Sequence, residues 1–243
     1  MEEGGYGTRS ALVSRIDGML SPFSAALIDA LSRFQSESHI TGNALEFGSY
    51  KGKTAMVLGL NLTPDERLFL IDSVDYLERD IFVENEVRFE FFCERSGDIR
   101  PRKFNNLRLI HCDTSHTFAD TRKELELSRK MLGKYGVIVV DDFTNLHYPG
   151  VLPAVYEFLL SRTDFSLFMV TNEKAYICKS RQIELYQTFV STKLQDDMEK
   201  RGIRIVMART DTSHYSKATY VRPALGDEPT IYAKEMYAHL WSN

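Results

Sequence analysis

One stretch constrains this chain more than any other: Ala44-Leu45-Glu46-Phe47-Gly48-Ser49-Tyr50-Lys51-Gly52-Lys53-Thr54. An apolar run meets an acid, then two spaced glycines, then a helical pattern from Thr54 to Leu60. That order predicts a strand, a tight turn and a helix N-terminus. Glycine tolerates positive φ and lets the backbone approach a ligand, and the amides that open the next helix are free donors. The carboxylate of Glu46 disfavours a phosphate there and favours a ligand with hydroxyls or a positive charge. From these residues alone an ordinary βα turn is the alternative, because short glycine motifs are weak signals.

The same alternation continues along the chain. Arg67 to Asp72 reads as a second buried strand ending on an acid, Leu107 to Cys112 as a strand stopping at Asp113-Thr114-Ser115-His116, and Gly136 to Val140 as one stopping at Asp141-Asp142. Helical spacing appears from about Phe118 to Leu132, with Gly133 as a stop, from Val151 to Leu160, and from Gln182 to Arg201. Ile81, Phe82, Asn85, Phe89 and Phe92 place a helix within 76–95, followed by a polar loop to Asn106. Phe165 to Val170 and Ala175 to Cys178 form a hairpin around Thr171-Asn172-Glu173-Lys174. Ahead of all this, Met1 to Thr8 is expected to fray, and two helices are separated by the break signal Ser21-Pro22. The tail holds a short strand (Ile205 to Ala208), a Ser/Thr/Tyr-rich loop and a final aromatic helix from Ile231 to Trp241.

Strands alternating with helices predict an α/β fold: a Rossmann-like, doubly wound, mostly parallel sheet with an antiparallel C-terminal hairpin, an N-terminal helical cap and a C-terminal appendage. The expected division is a cap over 1–40, a core over 41–180, and 181–243 as a helix and tail of the same domain. Composition narrows the partners. A net charge of −4 over 243 residues, with no basic stripe, argues against nucleic acid, and Arg100-Pro101-Arg102-Lys103 reads as a solvated loop. No apolar run approaches the roughly 20 residues of a membrane span, and no export signal opens the chain. Three cysteines without CxxC spacing fit buried thiols in a reducing, cytoplasmic compartment and give no zinc signature.

The notable polar residues all follow strands, so Glu46, Gly48, Gly52, Asp72, Asp113, His116, Asp141 and Asp142 are expected to share one cleft. As an ordered set they resemble the class I S-adenosylmethionine-dependent methyltransferases, in particular the small-molecule O-methyltransferases that include macrolide-sugar enzymes. Glu46 to Thr54 is similar to the E-x-G-x-x-x-G-x-[ST] motif, Ile110 to Phe118 to I-x-x-D-x-x-H-x-[YF], and Val139 to Phe143 precedes a Pro-Gly-Val at Pro149 to Val151. The resemblance covers roughly residues 40 to 180. It implies that Gly48, Ser49 and Gly52, flanked by Tyr50 and Thr54, approach the methionine part of S-adenosylmethionine, with Glu46 near its amino group. Asp72, followed by Ser73, would accept from the ribose. Asp113, Asp141 and Asp142 are placed like the acids that hold Mg²⁺ in metal-dependent members, and hard carboxylate oxygens suit that ion. His116 would take the proton of an acceptor hydroxyl, with Asp113 as the alternative base. The implied activity is O-methylation of a small hydroxylated molecule, such as a sugar of a natural product or a glycan.

Each residue also has a plainer reading. His116 could cap a helix, Asp142 could be an N-cap, and His111 and His147 read as structural or peripheral. Tyr215 and Tyr220 are candidates for a lid. Tyr232, Tyr237 and Trp241, with the N-terminal helices, are candidate interface elements of a homo-oligomer. Two departures from the family pattern stand out: no clear third strand lies between Asp72 and Leu107, which leaves Leu107 to Cys112 as either third or fourth, and Lys134-Tyr135-Gly136 replaces paired glycines. The rival readings are an NAD-linked oxidoreductase, disfavoured by the lack of G-x-G-x-x-G, and a non-catalytic cofactor-binding scaffold.

Overall fold

The computed structural model describes residues 5–209, 213, 215–236 and 238–241. Helix α1 (Tyr6–Ser14) begins inside the stretch expected to fray, and α2 (Pro22–Glu37) follows. The break signal works as a cap: Ser21 Oγ accepts from the Ser24 amide at 3.1 Å, and Pro22 takes the first helical position. Then come β1 (Asn43–Phe47), α3 (Lys53–Gly59), β2 (Leu68–Asp72), α4 (Arg79–Glu84), β3 (Phe89–Cys93), β4 (Leu107–Cys112), α5 (Phe118–Met131) and β5 (Leu132–Val140). The second half holds α6 (Val151–Ser161), β6 (Phe165–Val170), β7 (Ala175–Lys179), α7 (Ile183–Thr192), α8 (Leu194–Glu199), β8 (Ile205–Ala208) and β9 (Ser216–Pro223).

All nine strands join one sheet in the order β3-β2-β1-β4-β5-β7-β6-β9-β8. Strands β1 to β5 are mutually parallel, and β7 runs antiparallel between β5 and β6. The inserted β7 distinguishes this order from the 3-2-1-4-5-6 of dinucleotide-binding folds. Beyond the hairpin, β9 pairs parallel with β6 and antiparallel with β8, so the tail extends the same sheet.

The pleat sorts side chains onto two faces. Leu45 and Phe47 of β1 pack with Leu125, Val155 and Phe158 of α5 and α6, whereas Ala44 packs with residues of α2, α3, α7 and α8 on the other side. Glu46, two residues from Ala44, therefore points to the second face, and so does its register partner His111. Val139 and Tyr176 continue that row across β5 and β7.

Several sequence expectations need correction. The helix expected within 76–95 is only α4. Glu86 turns the chain with φ 56°, and Phe89 onward becomes β3, pairing in parallel with β2. Leu107 to Cys112 is thus the fourth strand. The helical spacing of Phe89 and Phe92 misled because β3 is an edge strand whose faces are only partly covered. For the same reason Cys93 is exposed, while Cys112 and Cys178 are buried as expected. The helix expected over 182–201 breaks at Lys193, beside Ser191 and Thr192, whose hydroxyls both donate to the Thr188 carbonyl. The loop expected before Pro223 contains β9. In place of a final helix, Ile231 bridges to Met207 and only Ala238–Leu240 forms a 3₁₀ turn, while Tyr237 lies outside the described residues. Among the described residues no helix is long and apolar enough to cross a membrane.

At the amino ends of the strands a buried ion pair ties the layers together. Arg108 of β4 is 2% exposed and lies 3.1 Å from Glu66 Oε1, while its Nη1 donates to the Ser32 carbonyl of α2 at 3.1 Å. Glu66 also accepts from the Gly42 and Thr63 amides at 2.7 and 2.9 Å. Removing one partner leaves the other charge buried and uncompensated, which costs about 3–5 kcal/mol. Glu66→Ala is therefore expected to lower unfolding free energy by about that amount in denaturant titration, against a negligible change for the exposed Glu90→Ala.

Candidate active site

The opposite, carboxyl ends of the parallel strands carry the expected cleft. After β1 the chain turns through Gly48 at φ 79°, where an added Cβ would lie 1.7 Å from the Asp113 carbonyl oxygen. No larger residue lets the ends of β1 and β4 come this close. Gly52, the N-cap of α3, has φ 96°, and a Cβ there would meet the rings and methyls of Phe82 and Leu77 within 2.8 Å. Between the glycines Tyr50 also adopts a left-handed conformation, φ 44°, and its amide donates to Asp72 Oδ2 at 2.9 Å. The acid ending β2 is thereby locked to the turn after β1.

Two adjoining cavities occupy this edge and share Met19, Gly48, Tyr50, Asp113 and His116. The larger, about 660 Å³, runs over the ends of β1, β2 and β4 and is lined by Asp72, Ser73, Arg95, Asp98 and Lys123 among others. The smaller, about 370 Å³, reaches over β5 and is lined by Glu46, Ser49, Thr54, Asp141, Asp142, Asn145, His147, Tyr148 and Glu173. The predicted residues Glu46, Gly48, Ser49, Tyr50, Thr54, Asp72, Ser73, Asp113, His116, Asp141 and Asp142 all border one cavity or the other. Gly52 lies behind them, packed on Phe82.

The floor is a buried polar chain. His111 Nδ1 is 2.9 Å from Glu46 Oε1, His111 Nε2 is 3.1 Å from Lys174 Nζ, and Lys174 Nζ is 2.6 Å from Asp141 Oδ2. Burial and then the Lys174 charge push His111 down to about 3, so the imidazole is neutral at physiological pH. Burial opposes ionisation of Asp141, but the Lys174 charge, the hydrogen bond from Lys174 and the Asp142 amide act together against it and hold that carboxyl at about 2. Glu46 and Asp113 are driven the other way: burial first, then a neighbouring aspartate, raises both well above the usual carboxylate range. Glu46 Oε2 and Ser49 Oγ are buried with no hydrogen-bond partner. Buried polar atoms are normally satisfied, so these two mark where a ligand would donate and accept.

Above the floor, His116 Nε2 lies 3.4 Å from Asp113 Oδ1 and 3.3 Å from Asp142 Oδ2, and its ring packs on Tyr148 at 4.4 Å between centroids. Both His116 and Asp142 have left-handed backbones, φ 55° and 54°. Thr117, not His116, caps α5, with its hydroxyl accepting from the Asp120 amide. Asp142 caps no helix; its Oδ1 accepts from Asn145 Nδ2 at 2.7 Å. Neither histidine read as structural or peripheral lies away from the cleft: His147 borders the smaller cavity and His111 is part of the floor. In sequence Lys174 reads as a solvated lysine of a hairpin turn, and only the period-two alternation from Tyr176 hints that it faces inward. Tyr215 packs beside Tyr156, and Tyr220 donates to Asn172 Oδ1 at 2.6 Å, so both belong to the hairpin side and neither borders the two cavities.

Comparison with known proteins agrees with this geometry. Residues 45–143 match a family described as a methyltransferase domain. That match falls within the expected core and spans less than half of the chain. The fold recurs in the O-methyltransferase TomG of Streptomyces achromogenes, solved with SAM, at 21% identity and a TM-score of 0.53, covering 70% of this chain and 86% of that one. An O-methyltransferase from Bacillus cereus, solved with SAH, gives 16% and 0.54 over 71% and 86%. CalS11, a TDP-rhamnose 3'-O-methyltransferase of calicheamicin biosynthesis, gives 19% and 0.51 over 65% and 80%. At these identities the likeness establishes the fold. No curated protein sequence matches the chain.

One buried acid behind the larger cavity makes stability depend on pH. Glu124 of α5 is 2% exposed and accepts from Ser96 at 2.7 Å and from Thr114, both of which line the larger cavity. Burial raises its carboxyl to about 7 against those hydrogen bonds. A folded-state value raised above the unfolded one makes this stability contribution full at low pH and lost as pH rises through about 7. Glu124→Gln removes the titration while keeping an acceptor oxygen. Its stability relative to wild type is expected to improve by up to about 3 kcal/mol between acidic and mildly basic pH in parallel thermal melts.

Proposed function

We propose that the protein transfers a methyl group from S-adenosylmethionine to a hydroxyl of a small polyhydroxylated acceptor, such as a sugar of a natural product or a glycan, in a cytoplasmic setting. The observation that carries this reading is the pair of cavities meeting at Gly48, Asp113 and His116 over a buried, unpartnered Glu46 Oε2. The larger cavity suits the cofactor. Asp72 keeps lone pairs for ribose hydroxyls while its oxygens accept from the Tyr50 and Val74 amides. Glu46 Oε2 and Ser49 Oγ suit a charged amino group and a carboxylate. A ligand ammonium beside Glu46 would also offset the burial that otherwise protonates that acid.

The smaller cavity suits the acceptor. Its wall of Asp142, Asn145, His116 and Glu173 offers hydrogen bonds to several hydroxyls, and Tyr148 adds a flat face for a sugar ring. That CalS11 acts on a TDP-sugar accords with such an acceptor. The bound cofactor supplies a methyl group already activated by its sulfonium. The protein's part is to align the acceptor oxygen and remove its proton. His116 Nε2 takes that proton, and Asp113 and Asp142, each within 3.4 Å, stabilise the imidazolium that results.

Magnesium, which the resemblance also implies, does not suit the residues as they are arranged. Asp141 gives one oxygen to Lys174 and the other to the Asp142 amide at 2.8 Å, and a divalent ion bound there would face the Lys174 ammonium in a buried site.

Isothermal titration with S-adenosylmethionine and S-adenosylhomocysteine tests the cofactor assignment. Micromolar binding is expected, weakened at least tenfold by Asp72→Asn through loss of charge-assisted hydrogen bonds. Silence with both ligands, or tighter binding of NADH, would sink the reading. On a panel of glycosides, His116→Gln is expected to lower turnover about 10²–10⁴-fold while leaving S-adenosylhomocysteine affinity within about twofold.

A further inference from the structure

Lys174 is the one charged group on the cleft floor that the proposed transfer leaves without a task. It is 1% exposed, unusual for lysine, and the turn that delivers it is held by Thr171, whose hydroxyl accepts from the Glu173 and Lys174 amides at 3.1 and 2.8 Å. We propose that Lys174 is the resident cation of this cleft: its ammonium pairs with Asp141 and fixes the His111 tautomer that aims Glu46 at the cofactor, so the site works with no divalent ion. This rests on the methyltransferase reading above.

An ammonium has three donors and no lone pair, so at 3.1 Å it can only donate to His111 Nε2. The neutral ring must then carry its hydrogen on Nδ1, which donates to Glu46 Oε1 at 2.9 Å. Glu46 is thereby required as an acceptor, and its second oxygen, buried and unpartnered, is left for an incoming positive group. A ligand ammonium against Oε2 favours the anionic form of Glu46 that burial otherwise disfavours, so the loaded floor holds Glu46 and Asp141 as anions against Lys174 and the ligand ammonium, with His111 neutral. The same bonds leave no imidazole lone pair for a metal. Glu46, His111 and Asp113 do place donor atoms within 4.8 Å of one another, but both ring nitrogens of His111 are already engaged. Lys174 is thus a positioning residue, acting through His111 and Asp141.

Three measurements on the full chain, each made with and without S-adenosylhomocysteine, decide the matter. Electron paramagnetic resonance with Mn²⁺ as the probe is expected to show no bound ion at millimolar concentration in wild type. Long-range ¹H–¹⁵N spectra are expected to show His111 protonated at Nδ1 and bare at Nε2. Lys174→Met is expected to lose that tautomer preference and bind S-adenosylhomocysteine about tenfold more weakly, with Lys174→Arg restoring part of the loss. Stoichiometric Mn²⁺ binding by wild type, or a His111 Nε2–H tautomer, overturns the proposal even if Lys174→Met fails to fold. Failure of wild type to bind S-adenosylhomocysteine instead sinks the methyltransferase reading, and the Mn²⁺ and tautomer measurements on the free protein still decide the role of Lys174.

Discussion

Crowded carboxylates at the ends of β1, β4 and β5 are the constraint around which this molecule is arranged. Glu46, Asp113, Asp141 and Asp142 converge because three parallel strands stop at the same edge, and Gly48 lets the first two strand ends nearly touch. Like charges this close in a poorly solvated cleft repel strongly. The fold answers with a single buried ammonium from the turn of the β6–β7 hairpin and with a neutral histidine that relays its effect to Glu46. The antiparallel β7 inserted between β5 and β6 is what delivers that lysine: the strand starts at Ala175, next to the end of β5, and Lys174 precedes it.

The two ends of the sheet solve their electrostatics differently. At the amino ends, Arg108 and Glu66 neutralise one another and bond to backbone groups on α2 and on the loop before β2, a closed arrangement with structural purpose. At the carboxyl ends the corresponding chain is left one partner short, with Glu46 Oε2 and Ser49 Oγ unsatisfied. Arg108 Nε and Ser32 Oγ at the amino ends also lack a hydrogen-bond partner, but they are sealed against Glu66 and α2, whereas Glu46 and Ser49 border the smaller cavity, where a ligand can reach them.

Much of this was legible beforehand because strand-ending acids and spaced glycines are local signals. Glu46, Asp72, Asp113 and Asp141 could be placed at one edge from the alternation of strands and helices alone. The misses share a physical origin in partial burial. Strand β3 lies at the sheet margin with Phe89, Phe91 and Phe92 only half covered, so its pattern imitates a helix face. Strand β9 is polar along much of its length because only Thr219 and Val221 are fully buried. Lys174 was invisible for the opposite reason: its environment is set by residues 33 and 63 positions away, Asp141 and His111, which no local pattern connects to it.

Tyr50, His116 and Asp142 ring the cleft with left-handed backbones that non-glycine residues seldom adopt. Each such conformation costs on the order of 1–3 kcal/mol and persists only where its surroundings enforce it. Glycine at any of the three would relax the chain, yet it would remove a phenol, an imidazole or a carboxylate from the rim. The cleft is therefore a region where selection for stability and selection for chemistry pull in opposite directions. Its shape is preset before any ligand arrives, and the rest of the sheet must be stable enough to hold it there.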